Sequence, residues 1–221
     1  MCGRFVRVTP IPTLAKRFRV KQVFPQDPGP SYNIAPTYEI LIINDEGVRQ
    51  LVPCRWGFMP SWAKDPSIGN RMINARAETV TAKPAFRQAF KKQRCLVIAD
   101  GFFEWRKEGG RKLPMFIRLS SGKPFDFAGL YNVWTSPVGD ETCTCTIITT
   151  TANELLSPIH DRMPVIISKD KKDLWLDPSM EDKEQLLSLL KPYPVNQMEV
   201  WEVSPKVNRP GYDSPDNIKP V

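Results

Sequence analysis

Hydrophobic and polar residues alternate over several short segments of the chain, a period typical of β-strands with one buried face. EILIIN and VRQLVPCRWG, separated by Asp45-Glu46-Gly47, are predicted to form a β-hairpin. CLVIADGFFEW is the strongest strand pattern, and KEGGRK predicts a turn into a second strand, PMFIRL. Further strands are predicted at FDFAGLYNVW, TCTCTIITTT, PVIISK and MEVWEVS.

Apolar residues recur at a helical period only in short segments. In TPIPTLAKRFRV, Thr9 is expected to cap a helix whose inner face carries Ile11, Leu14 and Phe18. PAFRQAFKKQ, which begins at Pro84, is predicted to be a basic amphipathic helix, and two more helices are predicted at DKKDLWL and KEQLLSLLK.

The remaining segments are predicted to be irregular. FPQDPGPSYNIAPT is rich in Pro and Gly and is expected to be an ordered surface loop. Residues 57–83 have few regular periods but many Trp, Pro, Asn and Arg residues, as a site-forming loop does. ANELLSPIHDRMP is also expected to be irregular, and a polar tail ends the chain.

Strands joined by short turns, with a few short helices between them, predict an α+β fold. We expect one domain over residues 1–221, with a largely antiparallel, barrel-like β core and short peripheral helices. No repeat, low-complexity stretch or linker in the sequence indicates a second domain.

The charge of the chain favours a polyanionic partner. Thirty-one Lys and Arg residues against 24 Asp and Glu residues leave a net charge of +7, and basic surfaces attract phosphates and release their counterions. No apolar run approaches the roughly 20 residues that span a bilayer, and the first residues lack the features of a signal peptide. We therefore expect no membrane partner and a cytoplasmic protein, beside the nucleoid in a bacterium or nuclear in a eukaryote.

The five cysteines do not have the spacing of a metal site. None belongs to a C-x-x-C pair and the chain has one histidine, so we expect no metal and no cofactor. Cys54, Cys95, Cys143 and Cys145 lie in strand-like segments, where reduced thiols packed as small hydrophobic groups are expected. Cys2 differs from these four by its position.

Cys2 follows the initiator methionine, and a small second residue generally permits removal of Met1. The mature chain would then begin with a free α-amine and a thiol on the same residue. Such a pair reacts with an aldehyde: the amine condenses to an imine, and the tethered sulfur closes a five-membered thiazolidine without the entropic cost of a second encounter. A second-position cysteine alone is weak evidence for this chemistry, because reactivity also needs a suitable environment.

Six motifs in a fixed order supply that environment: MCGRF, SYNIAP, RWGFMPSW, INARAET, ADGFFEW and IHDRMP. With them the chain closely resembles, from Met1 to its last residues, the SRAP family, named for SOS response-associated peptidases. Members of that family cross-link to abasic sites in DNA. The resemblance implies a protein that captures abasic sites in single strands or at junctions with duplex DNA, shields them, and releases them slowly if at all.

The resemblance also implies a role for each catalytic candidate. Cys2 would form the thiazolidine, Glu104 of ADGFFEW would transfer protons, and Asn74 of INARAET would orient the site. His160 of IHDRMP would help to open the closed sugar, with Asp161 and Arg162 as neighbours that could pair with it or tune it. From the residues alone, Glu104 could equally be a surface carboxylate, His160 a structural residue and Asn74 the cap of a turn.

The DNA-binding residues implied by the resemblance are mostly arginines. Arg4, Arg76 and Arg162 match positions that hold phosphates, and Trp62 matches an aromatic residue that wedges against bases. The predicted set also contains Asn33, Pro36 and Arg87. Two positions depart from the family pattern, because Ala63 replaces a second Trp and Pro84 replaces a phosphate-contacting Arg. We therefore expect a weaker wedge and rearranged phosphate contacts.

Three functions are compatible with these residues. The first is covalent capture of abasic sites in single-stranded DNA by a monomer. The second is an N-terminal-nucleophile cysteine peptidase that uses Cys2 on its own N-terminus or on peptides. The third is a non-catalytic nucleic-acid binder, for which Cys2 is incidental and binding is reversible and salt-sensitive. The excess of basic over acidic residues favours DNA over peptides as the substrate.

Overall fold

Two β-sheets form the centre of the protein. We describe them from a computed structural model that covers residues 2–24 and 27–221. Its strands are β1 (Phe5–Arg7), β2 (Gln22–Val23), β3 (Ser31–Ile34), β4 (Glu39–Asp45), β5 (Arg49–Trp56), β6 (Asn74–Arg76), β7 (Arg94–Ala99), β8 (Gly101–Glu108), β9 (Arg111–Leu119), β10 (Phe125–Thr135), β11 (Glu141–Thr151), β12 (Arg162–Pro164) and β13 (Met198–Glu202). The α-helices are α1 (Ile11–Phe18), α2 (Arg87–Lys92), α3 (Lys172–Leu176) and α4 (Lys183–Ser188).

The larger sheet closes into a barrel. Its strands follow the order β12-β11-β10-β7-β4-β5-β2, and an additional parallel pairing between β11 and β5 joins five of them into a ring. The predicted hairpin is confirmed, since β4 and β5 pair in antiparallel register from Glu39 opposite Arg55. The α+β fold with a barrel-like, largely antiparallel core is therefore confirmed.

The smaller sheet, in the order β13-β9-β8-β1-β3, is antiparallel. The expectation of one continuous strand over CLVIADGFFEW is wrong, because the chain leaves the barrel at Asp100 and enters this sheet as β8. The Asp100 carboxylate accepts hydrogen bonds from the backbone N–H of Val8 at 2.6 Å and of Thr9 at 2.9 Å. A side chain at Gly101 would collide with the ring of Phe116, since a Cβ there would lie 2.2 Å from it. This crossing brings β8 beside β1.

The helices match the predicted segments, with three local differences. Helix α1 has Pro10 rather than Thr9 at its cap position and no side-chain cap, because the Thr9 hydroxyl bonds to Asp100. Leu14 and Phe18 are buried as expected, whereas Ile11 is half-buried. Helices α2, α3 and α4 are shorter than the predicted segments that contain them.

The structure differs from the predictions for three segments that were expected to be irregular or extended. Residues 31–34 of the expected surface loop form strand β3, while Pro25 and Gln26 of the same loop lie outside the described residues. The segment PVIISK is not a strand beyond Pro164 and makes only an isolated bridge between Ile166 and Phe127. The C-terminal tail contains 3-10 turns at Pro205–Asn208 and Pro215–Ile218 and packs beside β3.

Cys54 and Cys143 form a disulfide, so the expectation of reduced thiols is wrong for these two residues. The parallel register of β5 and β11 places their Cα atoms 4.8 Å apart at the seam where the barrel closes. Cys95 and Cys145 are free and buried, as expected. The pairing escaped the sequence analysis because 89 residues separate the two cysteines.

The N-terminal segment is anchored between the sheets by aromatic packing. The ring of Phe5 lies 5.2 Å from that of Trp56 and 5.9 Å from that of Phe127, both with edge-on geometry. All three rings are fully buried, and Cys2 belongs to the same hydrophobic cluster. Because β1 is paired on both edges, with β3 and β8, the position of Cys2 is tied to both neighbouring strands.

Candidate active site

Cys2 immediately precedes β1 and has no exposed surface in the structure. Burial raises the pKa of its thiol well above the ordinary value, and the negative charge of Glu104 raises it further. The thiol is therefore protonated at neutral pH in this environment. Met1, whose removal the sequence predicts, lies outside the described residues.

Asn74 binds the main chain of Cys2. Strand β6 runs parallel to β11, with Asn74 opposite Ile147, and the Asn74 Nδ2 atom donates to the Cys2 carbonyl oxygen at 2.8 Å. The Oδ1 atom of the same amide is buried and has no hydrogen-bond partner within residues 2–24 and 27–221. An acceptor therefore remains beside Cys2 for an N–H or O–H group of a reactant.

Glu104 lies on β8 opposite Met115 and is 4% exposed. Burial raises the pKa of this carboxyl from 4.5 to about 7. Its neighbours Phe103 and Trp105 pack in a separate apolar cluster, as the alternation of strand residues predicts. A carboxyl group with a pKa near neutrality can both accept and donate a proton under physiological conditions.

His160 lies in the turn before β12. Its Nδ1 atom accepts a hydrogen bond from the Arg162 backbone N–H at 3.0 Å and lies 2.8 Å from the Asp161 carboxylate, so the predicted contact with Asp161 is confirmed. Burial lowers the pKa of the imidazole, and the nearby charge of Lys107 lowers it as well.

These four candidates meet although they come from distant parts of the chain. Asn74 binds Cys2, the charge of Glu104 acts on Cys2, and Glu104 and His160 line one cavity of about 400 Å³. The other lining residues are Trp105, Lys107, Lys112 and Asn208. A buried carboxyl group and an imidazole thus line an open cavity, and the charge of that carboxyl group acts on the buried thiol of Cys2.

Two of the three predicted phosphate-binding arginines are engaged within the protein. The Arg4 side chain is buried, and its Nη1 atom donates to Asn33 Oδ1 at 2.6 Å and to the Val207 carbonyl at 2.8 Å. Arg162 makes a two-pronged ion pair with Glu78, at 2.7 and 2.9 Å, and lowers the pKa of that carboxyl. Arg76 is exposed and lies close enough for its charge to act on Glu78.

The remaining predicted DNA contacts differ in their exposure. Asn33 is fully buried and donates to the carbonyls of Arg209 and Tyr212, at 2.9 and 2.8 Å, so it anchors the C-terminal segment. Its contact with DNA stays a prediction, as does that of Pro36, which lies in the turn after β3. Trp62 is 59% exposed and suited to stacking.

The two departures from the family pattern also have structural settings. Ala63 is buried, and its carbonyl accepts a hydrogen bond from the Trp134 indole at 2.8 Å. Pro84 lies in an exposed turn before α2. Arg87 on α2 lines a different cavity, of about 260 Å³, together with Lys91 and Lys183. The structure does not bring Arg87 into the cavity of Glu104 and His160.

Several residues of the site are not among the candidates that the sequence indicated. Lys107 and Lys112 follow from the β8–β9 register, which the KEGGRK turn could have indicated. Asn208, which accepts a hydrogen bond from the Trp105 indole at 2.7 Å, belongs to the segment expected to be a polar tail. Glu78 lies inside INARAET but its pairing with Arg162 depends on tertiary structure. Lys107, Lys112 and Asn208 extend the site beyond the six motifs.

Two further observations concern the described part of the chain. It contains no group of three or more His, Cys, Asp and Glu side chains arranged to hold a metal ion. None of its helices has the length and apolar character that a membrane-spanning helix needs.

Comparisons with known proteins show which proteins this chain is related to. A family model described as SOS response associated peptidase (SRAP) matches residues 1–210. Abasic site processing protein YoqW of Bacillus subtilis is 46% identical over 222 residues, which cover 99% of each chain. Abasic site processing protein YedK of Escherichia coli is 32% identical over the full length of both chains. A crystal structure of a protein from Bacteroides thetaiotaomicron, 28% identical, matches with a TM-score of 0.89 and covers both chains completely. This chain therefore belongs to the SRAP family.

Proposed function

We propose that this protein captures abasic sites in DNA by joining Cys2 covalently to the aldehyde of the ring-opened deoxyribose. Its relatives named above carry the name abasic site processing protein, and its net charge of +7 suits a polyanionic substrate. Beyond what that name says, the proposed chemical step is formation of a thiazolidine between Cys2 and the sugar aldehyde.

One observation carries the proposal: the Asn74 amide holds the main chain of Cys2 beside the Glu104 carboxyl, whose pKa is about 7. A terminal aminothiol needs a fixed position and a nearby proton-transfer group to react quickly with a weakly populated aldehyde. Both requirements are met by groups from separate motifs, and His160 completes the wall of the adjoining cavity.

The covalent step balances without a cofactor. After Met1 is removed, the Cys2 amine adds to the sugar aldehyde and gives a carbinolamine. Loss of water gives the imine, and addition of the sulfur to the imine carbon moves the thiol proton to nitrogen. The sum is aldehyde plus aminothiol giving thiazolidine plus one water molecule. The adduct would shield the lesion from strand cleavage and from error-prone copying.

Glu104 and His160 supply the proton transfers in this scheme. The abasic sugar is mostly a closed hemiacetal, so opening requires a proton to leave the C1 hydroxyl and another to reach the ring oxygen. Glu104 in its ionised form can take the first proton, and the imidazole of His160 can donate a hydrogen bond to the departing oxygen. Protonated Glu104 can then assist loss of water from the carbinolamine. The same proton transfers in the reverse direction would permit slow release of the DNA.

We further propose that the substrate is single-stranded DNA, or a strand at a junction, bound by a monomer. The exposed Arg76 and Trp62 provide a cation and a stacking surface suited to an unpaired strand. In a cell the protein would then act beside DNA, in the nucleoid of a bacterium or in the nucleus of a eukaryote.

The test compares wild-type protein, Cys2→Ala and Glu104→Gln with an abasic and an intact oligonucleotide of the same sequence. We expect a complex that survives heat and detergent only for wild type with abasic DNA, and a strongly slowed reaction for Glu104→Gln. Intact mass spectrometry should show loss of Met1 and an added mass equal to the DNA minus one water. A detergent-labile complex would overturn the proposal, and Cys2-dependent cleavage of unrelated peptides would favour a peptidase instead.

A further inference from the structure

We propose that Lys107 and Lys112 together form an anion site that holds a DNA phosphate next to the abasic sugar. This inference rests on the proposed function, because it names where the flanking strand lies. Lys107 on β8 and Lys112 on β9 are directly opposite in the antiparallel pair, and both are exposed. Both line the cavity of about 400 Å³ that Glu104 and His160 also line.

The two lysines form an unfavourable pair in the free protein. Like charges directly opposite each other on neighbouring strands destabilise a sheet. Neither ammonium group has an ion-pair partner among the described residues, whereas other cations of this sheet do. Arg106 pairs with Glu108 at 2.9 Å, and Arg118 pairs with Glu199. An anion bound between Lys107 and Lys112 would remove their repulsion.

The anion expected between the two lysines is a phosphate of the bound DNA. An abasic deoxyribose in DNA carries a phosphodiester on each side, so a sugar at Glu104 and His160 places phosphate in the adjoining space. Lys107, Lys112 and His160 line the same cavity, so a phosphate held by the two lysines would lie in the space that His160 faces. Arg4 and Arg162 are occupied by Asn33 and Glu78, so the two lysines are the free cations in this wall of the cavity.

The lysine pair also has a rigid support. The Trp105 indole, two residues before Lys107 and on the same face of β8, donates to Asn208 Oδ1 at 2.7 Å. The β8–β9 pairing continues through Lys107 opposite Lys112 to Glu108 opposite Arg111. The ammonium groups therefore extend from a paired hairpin rather than from a loop, which lowers the cost of ordering them around a phosphate.

The test measures binding of an intact single-stranded oligonucleotide and cross-linking to its abasic counterpart, both as a function of salt. The variant is the double substitution Lys107→Ala and Lys112→Ala. The control, Arg111→Ala with Lys123→Ala, removes the same charge from two exposed positions that do not line the cavity, one at the start of β9 and one shortly before β10. A third variant, Lys107→Arg with Lys112→Arg, keeps the charge.

We expect the alanine variant to bind roughly five- to tenfold more weakly than the control. The slope of log affinity against log salt should fall by about 0.7, the value for one phosphate on a single strand. The arginine variant should bind like wild type. Equal affinities and slopes for the alanine variant and the control would overturn the site. A different outcome would separate the two proposals. If neither wild type nor any variant cross-links, but the alanine variant still binds the intact oligonucleotide more weakly than the control, the covalent proposal fails and the phosphate site stands.

Discussion

The amide of Asn74 donates a hydrogen bond to the carbonyl oxygen of Cys2, across 72 residues of sequence. This bond connects the INARAET motif to the N-terminal residue, and it leaves the Asn74 Oδ1 atom buried beside Cys2 without a hydrogen-bond partner in the described chain. An amide whose nitrogen binds the main chain of Cys2 keeps its oxygen as an acceptor for a further hydrogen bond there.

We predict that Asn74→Ala slows cross-linking about tenfold while the folded structure persists. The substitution removes one hydrogen bond and leaves the Cys2 carbonyl without its donor, a loss of roughly 1–2 kcal/mol in positioning. Single-turnover rates at saturating abasic DNA measure the effect. Asn70→Ala is the control, because Asn70 is exposed and bonds only to Arg55 among the described residues. An unchanged rate for Asn74→Ala would remove the residue from the mechanism.

Glu104 should make the stability of the protein depend on pH. Its pKa is about 7 in the folded chain against 4.5 ordinarily, because burial disfavours the ionised carboxylate. The folded state thus binds the proton more tightly, and stability is lost as pH rises from 4.5 to about 7. The full difference corresponds to roughly 3 kcal/mol.

Glu104→Gln lacks this titration and should be more stable than wild type above neutral pH. The difference should shrink as the pH falls and vanish once the wild-type carboxyl is protonated in both states. Urea unfolding of both proteins across this pH range measures it. If the two stability curves run parallel, the carboxyl is not held in the environment described here.

The Cys54–Cys143 disulfide should stabilise the barrel. It closes a loop that spans a sequence separation of 89 residues at the β5–β11 seam, and loops of this length correspond to about 4 kcal/mol of chain entropy in the unfolded state. We expect Cys54→Ser with Cys143→Ser, or added reductant, to lower the free energy of unfolding by roughly 2–5 kcal/mol.

Thiol counting provides an independent measurement of that bond. Under denaturing, non-reducing conditions a thiol reagent should label Cys2, Cys95 and Cys145, and reduction should raise the count to all five cysteines. Labelling of five thiols before reduction would contradict the disulfide.

Arg4 and Arg76 should respond differently to substitution by alanine. Arg4 is buried and bonded to Asn33 and Val207, so Arg4→Ala should lower the free energy of unfolding by about 2–3 kcal/mol. Arg76 is exposed, so Arg76→Ala should leave stability within about 0.5 kcal/mol. Its effect should appear as weaker binding of single-stranded DNA and a shallower salt dependence. If Arg4→Ala weakened DNA binding and left stability unchanged, while Arg76→Ala lowered stability, Arg4 would be the DNA contact instead.

Much of the fold could be predicted because strand and helix periods are local. The β4–β5 and β8–β9 hairpins and the helix over Ile11–Phe18 follow from patterns a few residues long. The crossing at Asp100 could not be predicted, because ADGFFEW reads as a continuation of the strand before it. Its bend is imposed by hydrogen bonds from Val8 and Thr9, about 90 residues away in sequence.

The sequence by itself determined which reactive side chains this protein carries. The thiol of Cys2, the carboxyl group of Glu104, the imidazole of His160 and the amide of Asn74 are present whatever the fold, and their motifs identify the family. Only the tertiary structure decided how those groups behave. Burial sets the pKa of Glu104, an ion pair with Glu78 occupies Arg162, and strand register places Lys107 opposite Lys112. The physical reason is that solvation and pairing depend on contacts between residues far apart in the chain, which no local pattern encodes.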